Sequence, residues 1–360
     1  MINELSRAGK VQSVKGLVSP DELGATLTHE HILSDADFFI SIPSEPTLKD
    51  LTFQKPSLKT FAYARHYHDV LYNIEDFKLS DIDTAIDEVM IYKQFGGGTL
   101  VDATSIGLGR DPVGLARISR QTGVNIVMGA SYYVALSHNK EINDMTEDTI
   151  SEKIIDDLIN GVDNTGIRAG IIGEIGCGFP IDDNELKVLR GSAQAQAHTG
   201  FPLLVHPGRD VTAPLDNLNT LLENGADISK IIIGHLDRTF SNVDDYKKLA
   251  DKGCYIEWDL IGEERSFYDS DPDFDMPTDA MRMDQIATLI ADGYGKQILI
   301  AHDLAYKHRL MKYGGHGYGY ILANIVPRMR QRGIEESAIQ DILVNNPKRA
   351  LTITKWKYNF

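Results

Sequence analysis

The chain has 360 residues, with 36 Lys plus Arg against 52 Asp plus Glu, a formal charge of −16, and 42% apolar and 24% charged residues. A chain of this length can bury roughly three quarters of the surface it exposes when unfolded, which suffices for one large α/β domain. The acidic balance argues against nucleic acid as a partner, no polybasic stretch suits an anionic membrane, and no apolar run approaches the ~18 residues of a membrane span.

The opening segment, MINELSRAGK, lacks the apolar stretch of a signal peptide. Two cysteines, Cys177 and Cys254, cannot form a disulfide framework. The expectation is a soluble, cytoplasmic protein. In chain order, short β-branched runs at 25–28, 99–102, 125–130, 169–175, 202–205, 230–234, 255–260 and 297–301 predict strands. Amphipathic stretches at 83–95, 149–160, 183–198, 214–223, 244–252 and 282–292 predict helices between them. Near-continuous apolar strands alternating with such helices imply a parallel sheet covered by helices. Eight units without a ninth predict a closed (β/α)8 TIM barrel, one domain over residues 1–360. The gap after the first strand is long, and an insertion is expected at about 38–80. A doubly wound nucleotide-binding sheet needs a Gly-rich turn after its first strand, where Thr28-His29-Glu30-His31 stands instead.

What ends each strand carries the functional argument. His29 and His31 follow the first run, Glu174 lies near the end of the fourth, His206 follows the fifth, His235 the sixth, and His302 and Asp303 the eighth. C-terminal strand ends of a barrel converge on one mouth, so these groups, far apart in sequence, are expected to face each other there. Residues i and i+2 of a strand share a face, which lets His29 and His31 reach one ion. His66-x-His68 is the counter-example: it lies in the insertion and predicts an exposed or core role. Imidazole and carboxylate donors without thiolate suit Zn as the default, with Mn, Co and Fe open. Six donors exceed one tetrahedral ion and suit two ions about 3.5–4 Å apart, bridged by a carboxylate and a hydroxide. Asp303 is then placed to ligate one ion and to accept the proton as the nucleophile attacks. Asp102, at the end of the second strand, is read as an acceptor for the N–H of a ligand histidine.

These residues resemble the phosphotriesterase family of the amidohydrolase superfamily. The likeness runs through Gly24-Ala-Thr-Leu-Thr-His-Glu-His31, Gly170-Ile-Ile-Gly-Glu-Ile-Gly176, Leu204-Val-His-Pro-Gly208, Gly234-His-Leu-Asp-Arg238, Ala301-His-Asp303 and Arg309-Leu-Met-Lys-Tyr-Gly-Gly-His-Gly-Tyr318. It is strongest toward the phosphotriesterase-related branch. The resemblance implies a barrel with a binuclear metal site at its C-terminal mouth: His29, His31 and Asp303 on the buried ion, His206 and His235 on the exposed one, Glu174 bridging. Phosphotriesterases and related lactonases instead bridge with a carboxylated Lys one position earlier, where Gly173 stands here. That difference favours an ester, lactone or N-acyl amide over an organophosphate. The alternatives are phosphotriesterase activity or a non-catalytic metal-containing binding protein. Homodimers are frequent in the family. Loops after the strands supply the expected contacts to a small-molecule substrate, namely Tyr133, Arg238, Lys312 and His316, with Arg238 or Lys312 placed to hold an anionic group.

Overall fold

A computed structural model describes residues 7–66, 73–268, 271 and 273–354. Each of the eight apolar runs forms a strand: β1 Ala25–Glu30, β2 Gly97–Asp102, β3 Asn125–Ala130, β4 Ile171–Gly176, β5 Leu203–His206, β6 Ile231–Ile233, β7 Tyr255–Trp258 and β8 Ile298–Ile300. They pair in chain order as one eight-stranded sheet, and every ladder is parallel. The sheet nearly closes. Just past β8, the Asp303 N–H donates to His29 O of β1 at 3.1 Å. Glu30 of β1 accepts from the backbone N–H of His302 at 2.8 Å and of Leu304 at 3.1 Å.

The gap after β1 holds helices α1 (Pro46–Phe53) and α2 (Leu58–His66) and a two-residue ladder of Ser34–Asp35 with Lys78–Leu79. His66, at the end of α2, is exposed, and His68 lies outside the described residues. The barrel is covered by α3 (Ile82–Gln94), α4 (Pro112–Thr122), α5 (Glu147–Ile159), α6 (Asp183–Thr199), α7 (Ala213–Glu223), α8 (Val243–Ala250) and α9 (Asp279–Ala291). Local signals fix their ends. Asp182 caps α6, accepting from Asn184 N while Glu185 accepts from Asp182 N, and Gly200 ends the helix at φ 69°. α4 lies outside the predicted helices, yet it carries the same marks: an Asp111 cap, Pro at its start, and Gly123 at φ 76°. No helix among the described residues is long and apolar enough to cross a membrane.

Alternation along the strands sorts the core into two parts. Leu100, Ile126, Ile172, Leu203, Ile231, Ile256 and Ile298 point outward into the layer beneath the helices. Val101, Val127, Ile171, Leu204, Ile232 and Leu299 fill the barrel itself, together with Val11 and Leu23 from the N-terminal end. A hairpin of Val11–Ser13 and Gly16–Val18 covers that end, tied on where Val14 N donates to Ile126 O at 2.9 Å. Above this apolar layer, toward the strand C-termini, the interior turns polar.

Candidate metal centre

Glu174 of β4 sits at the middle of the polar layer. Its Oε1 lies 2.5 Å from His206 Nδ1, 2.8 Å from His235 Nε2 and 3.5 Å from His29 Nε2, and its Oε2 lies 3.5 Å from His31 Nε2. Asp303 comes in from the β8 side, 3.2 Å from His31 Nε2 and 3.8 Å from His29 Nε2. All these side chains are buried except that of Asp303, which keeps 20% of its surface accessible. His29–His31–Asp303 and His29–Glu174–His235 each bring one donor atom per residue within 4.8 Å of one another.

Backbone conformation makes the convergence possible. His235 (φ 54°) and Asp303 (φ 47°) both adopt the left-handed region just after their strands. Non-glycine residues occupy it rarely and at a cost, and such positions cluster at functional sites. Gly173 has φ 139°, and a Cβ there would lie 2.3 Å from Leu204 O. A lysine at 173 is therefore excluded by the backbone of β5, and the acid must come from position 174.

A ring of buried partners orients the imidazoles. Asp259, just past β7, joins two of them: Oδ2 accepts from His29 Nδ1 and from the His235 N–H, both at 2.8 Å, and Oδ1 accepts from His235 Nδ1 at 2.9 Å. Glu257 lies 3.5 Å from His29 Nδ1 and accepts from the Thr28 hydroxyl. Thr104 Oγ1 is 2.9 Å from His31 Nδ1, and the Tyr133 hydroxyl is 3.2 Å from His206 Nδ1. Asp102, expected on a ligand histidine, instead accepts from the backbone N–H of Ile32 (2.7 Å) and Leu33 (3.3 Å), fixing the chain that follows His31. Glu257 and Asp259 are functional candidates that a search confined to the ends of the predicted runs misses. Their signal was an i, i+2 pair of acids inside the otherwise apolar run YIEWDL.

The electrostatics suit a divalent cation. Burial pushes the imidazoles toward their neutral form, but the carboxylates around them win at three. Glu174 and Asp259 hold His29 well above its ordinary value, Asp303 and Glu174 raise His31 to about 10, and Asp259 and Glu174 raise His235 to about 9. His206 goes the other way, held well below by burial and by neighbouring His235. Despite burial, the imidazoles keep Glu174 and Asp303 below the usual carboxylate range. His29 Nε2 is buried, faces both carboxylates, and has no hydrogen-bond partner. An orphaned nitrogen among ionised acids and only nitrogen and oxygen donors fits a divalent ion.

The expected substrate contacts separate. Tyr133 stands against the centre, its ring edge-on to His206 at 5.0 Å. Arg238, only 1% exposed, donates through Nη2 to His206 Nε2 and to Pro207 O, both at 3.1 Å. Cζ of Arg238 lies 5.5 Å from the ring centroid of Tyr268, and so does Cζ of Arg209, a residue the loop reading did not single out. Although burial opposes it, Arg209 and Arg238 hold the Tyr268 phenol below its usual value. His316 sits deeper in the eighth loop, ring-on-ring with His302 at 5.2 Å and 3.3 Å from Arg309 Nε. Lys312 turns away to Asp81 (3.4 Å) and Thr84 at the start of α3, so its charge is committed there rather than to the centre.

Comparison with known proteins gives a concordant result. A family model described as the phosphotriesterase family matches residues 9–351. The N-acetyltaurine hydrolase of Dictyostelium discoideum is 42% identical, covering 97% of this chain and 99% of that protein. The N-acetyltaurine hydrolase of Mus musculus is 43% identical, over 96% and 99%. Among solved structures, a resiniferatoxin-binding protein from Rhodobacter sphaeroides superposes with a TM-score of 0.91 at 34% identity, covering 96% of this chain and 95% of that one.

Proposed function

The chain belongs to the phosphotriesterase family, and from that premise we propose that it is a metal-dependent amide hydrolase of small N-acyl compounds, with N-acetyltaurine as its first test substrate. The observation that carries the reading is the convergence of Glu174 and Asp303 on the imidazoles of His29, His31, His206 and His235. His29, His31 and Asp303 would hold one divalent ion and His206 and His235 a second, with Glu174 shared. Zinc is the default, and manganese, cobalt and iron suit the same donors. Bound there, such ions supply Lewis acidity and lower the pKa of water.

The remaining chemistry belongs to the chain. Asp303 alone among the donors keeps a partly accessible carboxylate. It is the group to take the proton from the attacking water at its Oδ atoms and deliver it to the departing amine nitrogen. Tyr133, which touches His206, belongs to a buried apolar cluster with Ala36, Phe77, Leu108 and Val134 that would suit a short acyl group. Asp259 holds His29 and His235 in orientation. Esters and lactones share the carboxyl chemistry. Phosphotriesters rank below them, because glutamate at 174 replaces the carboxylated lysine that Gly173 excludes.

The test is release of taurine and acetate from N-acetyltaurine by the zinc-, manganese- and cobalt-loaded protein, run in ¹⁸O-labelled water beside a lactone and an aryl phosphotriester. One label appearing in acetate is the expected result. Turnover of the phosphotriester alone, or of nothing in any metal form, would overturn the proposal.

A further inference from the structure

Three arginines packed into the fold are matched by carboxylates. Arg282 reaches Asp237 at 2.7 Å and Asp279 at 3.0 Å, Arg110 reaches Asp157 at 2.9 Å, and Arg309 reaches Glu263 at 3.3 Å. Two arginines at the mouth break this pattern. Among the described residues, neither Arg209 nor Arg238 has a carboxylate partner. Arg238 has a buried Nη1 with no hydrogen bond at all, and Arg209 has a buried Nε in the same condition. Among the described residues, Arg209 donates only to the Tyr268 hydroxyl, at 3.3 Å. Both guanidiniums stand 5.5 Å from the centroid of that one ring. Two like charges side by side, with donors left over and no carboxylate in contact among the described residues, suit an anion supplied from outside.

We infer that Arg209 and Arg238, set around Tyr268, seat the anionic end of the substrate. The assignment rests on the amide-hydrolase reading and narrows it to N-acyl aminoalkyl oxyanions. Reach follows from the geometry. Arg238 Nη2 touches one nitrogen of the His206 ring at 3.1 Å, and the other nitrogen of that ring is 2.5 Å from Glu174. The anion thus sits about one imidazole beyond the donor cluster, which suits a short alkyl spacer between amide nitrogen and oxyanion and disfavours long or neutral amines. Sulfonate and carboxylate share the chemistry recognised here.

The experiment compares kcat/KM for N-acetyltaurine, N-acetyl-β-alanine and neutral N-propylacetamide in the wild type and in Arg209→Gln and Arg209→Lys, with calorimetric binding of ethanesulfonate and of uncharged ethyl methyl sulfone as a readout independent of turnover. Arg209 is the site of choice because it does not touch an imidazole of the cluster. The wild type should prefer the anionic amides and bind ethanesulfonate over the sulfone. Arg209→Gln should cut that preference about 10- to 100-fold, mainly through KM, the scale of one charge-assisted hydrogen bond. Arg209→Lys should restore part of it. Equal binding of sulfonate and sulfone by the wild type overturns the seat even if no variant folds. An unchanged anionic-to-neutral ratio in Arg209→Gln does the same while leaving the amide-hydrolase reading intact. Failure to cleave any amide, with sulfonate-selective binding retained, refutes that reading instead and leaves the seat standing.

Discussion

Asp259 offers the most exacting test of how the imidazoles are held. Its two oxygens serve three donors: Oδ2 takes His29 Nδ1 and the His235 backbone N–H, and Oδ1 takes His235 Nδ1. For Nε2 of either histidine to face Glu174 with a free lone pair, Nδ1 must carry the proton, and Asp259 is what accepts it. Asn preserves the shape but converts one acceptor into a donor. The better of its two orientations keeps oxygen at the Oδ2 position, where two donors meet, and sets NH2 against His235 Nδ1–H. The opposite flip loses two acceptances for one. His235 must then turn or change tautomer, while His29 is nearly untouched. Loss of such a supporting contact weakens metal binding about 10- to 100-fold, or about 1.4–2.7 kcal/mol. Competition titration against a chromophoric chelator should therefore show two unequal sites in Asp259→Asn, with one weakened by that amount and the other within a few-fold of wild type. Two affinities both within two-fold of wild type would refute the claim that Asp259 sets the tautomers.

The remaining expectations are shorter to state. Asp303→Asn should lower kcat at least about 100-fold while mass spectrometry still finds part of the metal; full activity removes Asp303 as the proton carrier. Arg282→Ala strands the buried Asp237 carboxylate, already pushed up to about 6 by burial against the pull of Arg282, and should cost about 3–5 kcal/mol in denaturant unfolding. Gly173→Ala places a Cβ 2.3 Å from Leu204 O at φ 139° and should lower stability by at least about 2 kcal/mol; a wild-type unfolding midpoint would contradict the backbone geometry. His31 and His235, raised to about 10 and about 9, are protonated at pH 7 in the metal-free chain, so metal entry should release protons and tighten as pH rises toward 9. Calorimetry in buffers of different ionisation heat reads that release directly.

Much of this was legible in the sequence, for definable reasons. A strand in a parallel barrel is buried on both faces, so it appears as an apolar run, and all eight runs became strands. Donors such as His206 and His235 stood out because they interrupt or follow such runs. The misses share a cause in tertiary pairing. Glu257 and Asp259 lie within the seventh run, where an acid is tolerable only because Thr28, His29 and His235 arrive from other strands. Asp102 sits where a strand-end acceptor is expected, but the turn after His31 takes one of its oxygens and the Thr104 N–H takes the other. Lys312 follows the last strand as a substrate cation would, yet α3 brings Asp81 to it from 231 positions away. The hairpin over residues 11–18 is too short to show alternation above noise.

The arginines clarify how structural and functional charge differ inside one fold. Arg282 and Arg309 are buried like Arg238, and Arg110 is partly so, but the chain supplies each with its counter-charge, and a pair satisfied from within has no need of a ligand. At the barrel mouth the accounts fail to close, in opposite senses on either side of His206. Toward the axis, Glu174, Asp303 and Asp259 are balanced only by protons on the buried imidazoles, protons that a divalent ion would replace. Toward Tyr268, two guanidiniums have no carboxylate in contact among the described residues. A chain with a formal charge of −16 has acids to spare for that place, so their absence is a property of the site and not of composition. A cation deficit and an anion deficit separated by a single imidazole are complemented together by metal on one side and an oxyanion-bearing amide on the other. Filling Arg209's surroundings with a carboxylate, as in Tyr268→Glu, should then stabilise the fold while abolishing sulfonate binding; stabilisation with binding retained would show that the two deficits are unrelated.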